Sequence, residues 1–198
     1  QLATGLKRIA RREKRGQAVG AIAYLQSYSN TYGDINRLGE LLGAVEPYLG
    51  GPVRCVSVAT RPDCLTDEAL QLMAKLSKRV PVWLELGLES ANDQVLLDIN
   101  RLHTLDEFFD AVKRAHQAGL STVGHAILGL PGDGREGARA TAEALAQAGC
   151  AGVKLHHLMV LEKTRMAHDW REGNLEVLKE EVMRRLRVRG GAEGVAGL

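Results

Sequence analysis

Short aliphatic runs alternate with segments of helical period along this chain, and that alternation limits the folds open to it. The runs of strand length cover residues 18–28, 52–60, 80–89, 121–128 and 151–160. Leucine and alanine recur at helical spacing in the intervening segments 34–50, 65–79, 91–119 and 133–149. A repeat of about 30 residues is the size of a βαβ unit, so the pattern predicts a parallel sheet covered by helices.

The two faces of the predicted strands distinguish a barrel from an open sheet. In VWLELGLES the even positions 82–88 are aliphatic, whereas the odd positions are Trp83, Glu85, Gly87 and Glu89. Successive side chains of a strand point to opposite faces, so one face of this strand is polar. An open sheet with helices on both sides would be apolar on both faces. We therefore expect a wide or incomplete barrel with a polar interior and its chemistry at the carboxyl ends of the strands.

The inner face of this strand carries two glutamates, and Glu85 and Glu89 stand four residues apart. That spacing is about 13 Å along a strand, which is too far for the paired carboxylates of a glycosidase. A buried carboxylate needs a positive or hydrogen-bonding partner, or a cationic ligand. The candidate partners are Arg61, Arg101, Lys154 and His125. An ion-pair network with a structural role is the alternative interpretation.

Two turns that follow predicted strands contain glycine or proline. ILGLPGDG, residues 127–134, lets the backbone approach a ligand closely, although a tight turn alone would also explain it. In ATRPDCLTDE, residues 59–68, Arg61 stands at a strand end, where it can bind a carboxylate or phosphate or can pair with Asp63. The adjacent His156 and His157 face opposite ways on a strand, so a zinc site is not predicted.

Charge and cysteine content restrict partners and compartment only loosely. The formal net charge of +2 does not by itself imply a polyanionic partner. The basic runs 6–15 and 180–189 are typical of solvated helix faces, with RNA binding as the alternative. Cys55, Cys64 and Cys150 have neither disulfide nor metal-ligand spacing, which favours a cytoplasmic location. No apolar run approaches the roughly 18 residues of a membrane span, so no membrane partner is expected.

Several motifs, taken in their order, resemble one family. TRPD, LELGLES, INRLHT and AILGLPGD are arranged as in the radical S-adenosylmethionine (SAM) superfamily. QSYSNTYG, ATRPDC and VKLHHL are similar to its YhcC-like branch, which is related to the catalytic subunit of Elongator. This resemblance covers residues 20–180. It implies an α/β fold, a partial (β/α)6 TIM-like barrel of parallel strands, with SAM and a [4Fe–4S] cluster as cofactors and a flavodoxin or ferredoxin as electron donor.

The resemblance also implies roles for residues that match the motifs. Glu89 and His125 would contact the ribose of SAM, Arg101 would bind its methionine carboxylate, and the backbone of residues 129–132 would lie beside adenine. The cofactor-binding positions implied in this way are Glu89, Ser90, Arg101, His125, Gly129, Leu130, Pro131 and Gly132. The substrate side would be lined by Arg61, Glu85, Lys154 and His156. No side chain is expected to be an acid–base catalyst.

The cluster motif of the family, CxxxCxxC, does not occur in the sequence. We expect the cluster ligands and the first strand to lie upstream of Gln1, with the basic segment 2–15 as the helix of the first βα unit. Residues 1–188 would then form a core barrel largely lacking that unit, and 189–198 a flexible glycine-rich tail.

The expected activity follows from the same resemblance. The intact protein would cleave SAM reductively to a 5′-deoxyadenosyl radical that acts on a substrate which the sequence does not identify, and the 198-residue chain alone would be inactive. The basic ends of the chain slightly favour RNA as that substrate. Two other functions remain open. One is a barrel module that binds SAM or RNA without a cluster, and the other is a TIM-barrel enzyme that binds a phosphorylated substrate.

Overall fold

A computed structural model describes residues 2–17, 20–26 and 28–178. Five parallel strands form one sheet in sequence order: β1 (Ala21–Leu25), β2 (Val53–Thr60), β3 (Val82–Glu89), β4 (Ser121–Leu128) and β5 (Gly152–His157). The α-helices of the described residues are α1 (Leu2–Glu13), α2 (Ile35–Val45), α3 (Asp67–Ser77), α4 (Asp93–Asp98), α5 (Leu105–Gln117), α6 (Gly134–Gln147) and α7 (Arg165–Arg171). The sheet curls into a half-barrel, which confirms the predicted partial TIM-like barrel.

Some of the sequence predictions fall on other parts of the chain. The predicted core boundary at residue 188, the glycine-rich tail 189–198 and the basic run 180–189 lie outside the described residues. Within the described ranges, no helix is long and apolar enough to cross a membrane.

The hydrophobic core lies between the outer face of the sheet and the helices. The even-numbered positions of β3 from Val82 to Leu88 are at most 3% exposed, as the strand pattern predicts. They pack in one cluster with helix residues such as Met73 of α3 and Phe108 of α5. Each large aliphatic side chain buried in this way contributes roughly 1.5–3 kcal/mol. The core therefore fixes the even face of β3 outward and leaves the odd face of β3 to line the barrel.

The helices begin and end at residues suited to capping. The side chains of Thr66 and Thr104 cap α3 and α5, and Glu107 completes a capping box with Thr104. Gly119 has φ +75° directly after α5, a left-handed conformation that favours glycine. The predicted helical segment 91–119 is interrupted, because α4 ends at Asp98 and α5 begins at Leu105. The loop between them contains the INRLHT motif and lies beside the carboxyl end of β3.

The curvature of the sheet brings its two edge strands together. Lys154 of β5 donates a hydrogen bond to the hydroxyl of Tyr24 of β1, although three strands stand between them in the sheet. The interior is therefore spanned by side chains that belong to opposite edges.

Candidate functional site

Glu85 of β3 bonds to one side chain from each of the other four strands. Its Oε1 accepts a hydrogen bond from Ser57 of β2. Its Oε2 accepts from the Tyr24 hydroxyl at 2.6 Å and from His125 Nε2 of β4 at 2.8 Å, and it lies 3.4 Å from Lys154 Nζ. Glu85 is only 7% exposed. These contacts confirm that the odd face of β3 points into the barrel and that Glu85 finds the positive and hydrogen-bonding partners that its burial requires.

The protonation states of this network follow from its contacts. Burial would raise the pKa of Glu85, but hydrogen bonds from Ser57, Tyr24 and His125, together with the charge of Lys154, lower it to about 2. Burial lowers the pKa of His125 despite the neighbouring carboxylate. A neutral His125 must donate to ionised Glu85 from Nε2, so its Nδ1 is left as an acceptor. Bonds to Tyr24 and Glu85 raise the pKa of Lys154 in spite of burial. The network thus holds one carboxylate and one ammonium group.

β3 departs from regular strand geometry at its carboxyl end. Its pairing register with β4 shifts between Gly87 and Glu89, which is a β-bulge at Leu88. Glu89 has φ +69°, a left-handed conformation that costs a non-glycine residue roughly 1–2 kcal/mol. Arg101 Nη2 donates to the carbonyl of Gly87 at 3.2 Å, and His103 Nε2 lies 3.3 Å from the carbonyl of Leu88. Two side chains of the 99–104 loop therefore hold the backbone of the bulge.

An ion pair stands above this bulge. Glu89 Oε1 lies 2.9 Å from Arg101 Nη2, and Glu89 is only 8% exposed. Burial raises the pKa of Glu89 even though the charge of Arg101 opposes that change. A Cβ atom added at Gly87 would overlap both Arg101 Nη2 and Glu89 Oε1. Glycine at position 87 therefore gives the ion pair the space in which it sits.

A cleft of about 650 Å³ opens beside the network and the ion pair. This volume lies within the range of ligand-binding pockets. Five of the predicted site residues line the cleft: Arg61, Glu85, Glu89, Arg101 and His125. Tyr28 and Tyr32 line it as well, and they are 96% and 78% exposed. The cleft therefore combines aromatic side chains, which are open to solvent, with the buried polar groups of the barrel interior.

Of the predicted substrate-side residues, two lie outside the cleft lining and a third already has a partner. Lys154 and His156 are on β5, and the His156 ring centroid is 5.3 Å from that of His125. Arg61 pairs with Asp63 through two hydrogen bonds, so the structure realises one of the two alternatives left open by the sequence. Arg61 still lines the cleft in this arrangement.

The remaining predicted positions stand outside the cleft lining. Ser90 is fully buried, and its hydroxyl donates to Asp133 at 2.8 Å. Burial raises the pKa of Asp133 against this hydrogen bond. Leu130 is also buried, and Gly129 packs against Leu178. Ser90 thus ties the end of β3 to the LPGD turn, and the backbone of Gly129, Leu130, Pro131 and Gly132 follows β4 at the same edge of the barrel.

The described residues contain no group of three histidine, cysteine, aspartate or glutamate side chains that could hold a metal ion. Cys55 and Cys64 are buried and Cys150 is half-buried, and all three are free thiols. These described cysteines do not form a set of three ligands such as a [4Fe–4S] cluster requires.

SAM fits the described residues better than the cluster does. Arg101 lines the cleft, and its buried Nε has no hydrogen-bond partner among the described residues. A buried guanidinium N–H without an acceptor is suited to the carboxylate of an amino-acid ligand. His125 Nδ1 offers an acceptor for a hydroxyl group. These groups match the amino-acid end and the ribose of SAM.

Comparison with known proteins identifies the class to which the fold and site belong. Residues 5–145 match the family model described as the radical SAM superfamily. The chain belongs to this superfamily. It is 34% identical over 160 residues to YtqA of Bacillus subtilis (strain 168), which is 81% of this chain and 49% of that protein. It is also 34% identical over 161 residues to YhcC of Escherichia coli (strain K12), which is 81% of this chain and 52% of that protein.

The fold comparison agrees with this membership. The structure of Elp3 from the archaeon Methanocaldococcus infernus matches with a TM-score of 0.59 and 16% sequence identity, over 83% of this chain and 52% of that chain. The predicted resemblance to YhcC-like proteins related to Elongator is therefore confirmed. The chain spans about half the length of the curated relatives it matches.

Sequence reasoning missed three residues of the site. No motif singles out Tyr24 or Ser57 as a partner of Glu85, and none assigns a role to His103. The inward parity of Tyr24 and Ser57 was the available signal, whereas His103 offered only its place in the INRLHT motif.

Proposed function

We propose that the intact protein is a radical SAM enzyme that binds SAM in the cleft at the carboxyl ends of β1 to β4. When bound, SAM and a [4Fe–4S] cluster supply reductive cleavage of the sulfonium to a 5′-deoxyadenosyl radical, with electrons from a donor such as a flavodoxin or ferredoxin. Cluster ligands from outside the 198 residues are part of the proposal, as is a cytoplasmic location, in which the free thiols Cys55, Cys64 and Cys150 would stay reduced.

The observation that carries the proposal is the environment of Arg101. Its Nη2 holds Glu89 and the carbonyl of Gly87, while its buried Nε lacks an acceptor among the described residues and the side chain faces the cleft. We propose that the methionine carboxylate binds this free edge of the guanidinium. The superfamily membership of residues 5–145 supports the same assignment.

The neighbouring side chains would orient the rest of the ligand. We propose that His125 Nδ1 accepts a hydrogen bond from a ribose hydroxyl, since His125 Nε2 already donates to Glu85 at 2.8 Å. Glu89, held against Arg101, would accept a second one. Glu85 would stay ionised at neutral pH, because its pKa is about 2. Its network would then hold the inner wall of the cleft in a fixed arrangement beside the substrate.

We propose RNA as the substrate class, and two features support it. Tyr28 and Tyr32 expose aromatic rings beside the cleft, and exposed aromatic rings are suited to stacking on unpaired bases. The exposed surface of α1 carries Lys7, Arg8 and Arg11, whose charges can neutralise phosphates. Replacing Tyr28 and Tyr32 by serine should weaken binding of a single-stranded RNA, whereas replacing Tyr48, which lies outside the cleft lining, should not. Equal binding by all these variants would contradict an RNA site at the cleft.

The decisive experiment uses the complete protein that contains this chain, purified without oxygen and reconstituted with iron and sulfide. It is incubated with SAM and a strong reductant, and 5′-deoxyadenosine is measured. Product that depends on the reconstituted cluster is the expected result. A protein that holds its cluster but forms no product would contradict the proposal. SAM binding without any cluster would favour the binding module, and turnover of a phosphorylated metabolite without cluster would favour the ordinary barrel enzyme.

A further inference from the structure

His103 is a buried side chain near the end of the 99–104 loop, and neither its position in the sequence nor the resemblance assigns it a function. It is 5% exposed. Its backbone follows Arg101 by two residues, and both side chains reach the carboxyl end of β3. Arg101 contacts the carbonyl of Gly87, and His103 contacts the carbonyl of Leu88. The two carbonyls belong to the bulge that precedes Glu89.

The hydrogen bond to Leu88 determines the tautomer of His103. A carbonyl oxygen only accepts, so Nε2 of His103 must carry the proton that it donates at 3.3 Å. The amide of Ser90 donates to the same carbonyl at 2.9 Å. Burial and the nearby charge of Arg101 lower the pKa of His103, which keeps the imidazole neutral. Its Nδ1 is then a buried lone pair that has no partner among the described residues.

The bulge sets the direction of the Glu89 side chain. Glu89 adopts φ +69°, and a glutamate stays in that left-handed conformation only where its surroundings hold it there. The restraint on one side is the Arg101 contact to Gly87. The restraint on the other side is the carbonyl of Leu88, which accepts hydrogen bonds from both His103 and the amide of Ser90. The Glu89 carboxylate reaches Arg101 Nη2 at 2.9 Å in this arrangement.

We infer that His103 is a positioning residue for the Glu89–Arg101 pair. Its Nε2–H holds the Leu88 carbonyl in the bulge, and the bulge in turn keeps the Glu89 carboxylate on Arg101. The inference rests on the proposed function, because Arg101 would bind the carboxylate of SAM and Glu89 would bind its ribose. His103 acts through Leu88 and Glu89 and does not itself line the cleft.

Three substitutions separate positioning from simple packing. The amide nitrogen of glutamine stands about where Nε2 of histidine stands, so His103→Gln keeps the donor. The amide of asparagine reaches only as far as Nδ1, so His103→Asn loses the donor while remaining polar, and His103→Leu loses polarity as well. In the complete protein, titration calorimetry with SAM should give an affinity within about threefold of wild type for His103→Gln, and affinities at least about tenfold weaker for the other two.

Thermal unfolding of the same variants supplies the control. His116 also has a hydrogen-bonded Nε2, 3.0 Å from the Thr122 hydroxyl, but it lies outside the cleft lining. His116→Leu should lower the melting temperature and leave SAM affinity within about twofold of wild type. If the affinities of the His103 variants follow their melting temperatures, with glutamine giving no rescue, the positioning role is wrong.

A second measurement does not depend on SAM binding. Long-range ¹H–¹⁵N spectra of the histidine side chains report the tautomer and charge of each imidazole in the ligand-free protein. We expect His103 as the neutral Nε2–H tautomer at pH 7. An Nδ1–H tautomer or an imidazolium would overturn the inference even if the protein binds SAM. A protein that shows the expected tautomer but binds no SAM would contradict the proposed function and leave the contact between His103 and Leu88 in place.

Discussion

Glu89 and Arg101 are ion-pair partners, with Glu89 Oε1 2.9 Å from Arg101 Nη2. The resemblance assigns these two residues to different ends of one ligand, and the structure shows that they also bind each other. The pair uses Nη2 of Arg101, while Nε remains buried and without a partner in the described part of the chain. Nη2 is thus already engaged by Glu89, and Nε is the donor left over for a further acceptor.

Replacing Arg101 by alanine should weaken SAM binding by about 1–3 kcal/mol, which is roughly 5- to 150-fold. The substitution removes the donor for the carboxylate and leaves Glu89 buried without its positive partner. Titration calorimetry on the complete protein measures the change. Arg139→Ala is the matched control, because Arg139 forms an exposed pair with Glu143 on α6. Unchanged affinity in the Arg101 variant would remove Arg101 from the binding site.

Gly87→Val should abolish the Glu89–Arg101 contact and weaken SAM binding by at least about tenfold. Its Cβ would overlap both members of the pair, so one of them must move. Gly43→Ala serves as the control, since an added Cβ at Gly43 meets nothing within 4 Å and alanine favours a helix by about 0.5–1 kcal/mol. Circular dichroism checks that the barrel forms. A folded Gly87→Val protein with normal affinity would contradict the inward orientation of the pair.

Glu85 should make the stability of the protein fall in acid. Its pKa is about 2 in the folded protein and 4.5 ordinarily, so the unfolded state binds more protons between these values. The stabilisation is complete above pH 4.5 and is lost as the pH falls through the folded pKa, and it amounts to roughly 3 kcal/mol. Urea unfolding at several pH values should show the difference between wild type and Glu85→Gln shrinking below pH 4.5.

The control for this titration is Glu143→Gln, which removes a carboxylate from an exposed pair on α6. Its effect should stay within about 1 kcal/mol at every pH, because exposed ion pairs contribute little. A Glu85→Gln difference that is constant from pH 6 to pH 3 would show that the network does not hold Glu85 in its ionised form.

Ser90→Ala should destabilise the protein by about 1–3 kcal/mol and loosen the LPGD turn. The serine hydroxyl donates to buried Asp133 and accepts from the amide of Asn92, so its removal leaves a buried carboxyl group unpaired. Ser77→Ala is the comparison, since the Ser77 hydroxyl donates to the carbonyl of Ala74 within its own helix. Urea unfolding gives the free-energy change, and equal effects of the two substitutions would contradict a special role for Ser90.

Much of the fold follows from the periodicity of the sequence. The aliphatic parity of β3 and the caps at Thr66 and Thr104 are local signals, and the structure agrees with them. The parity also predicts that Glu85 and Glu89 face inward. It gives no information about which strands meet across the barrel, because that depends on how far the sheet curls. The contact between Tyr24 and Lys154 therefore emerges only in three dimensions.

The geometry of the site depends on features that interrupt the pattern. A regular strand predicts one conformation for Gly87 through Glu89, whereas the structure has a bulge and a left-handed glutamate there. Such a bulge is held by side chains that are distant in sequence, here Arg101 and His103, so the strand itself does not encode it. Arg61 illustrates the same limit. The sequence is compatible both with pairing to Asp63 and with binding a carboxylate or phosphate of a ligand, and only the structure shows the pair with Asp63.

The network that joins all five strands restricts where such a chain can gain or lose residues. Each strand contributes its inward residue at a fixed alternate position, so the insertion or deletion of one residue within a strand would turn its contribution outward. The contacts of Glu85 with Tyr24, Ser57, His125 and Lys154 therefore depend on each strand keeping its own inward-facing positions. Changes in length that keep the interior intact belong in the helices and loops outside the barrel. In an alignment of relatives that share this interior, insertions and deletions should fall in the helices and loops, and the strands should contain none.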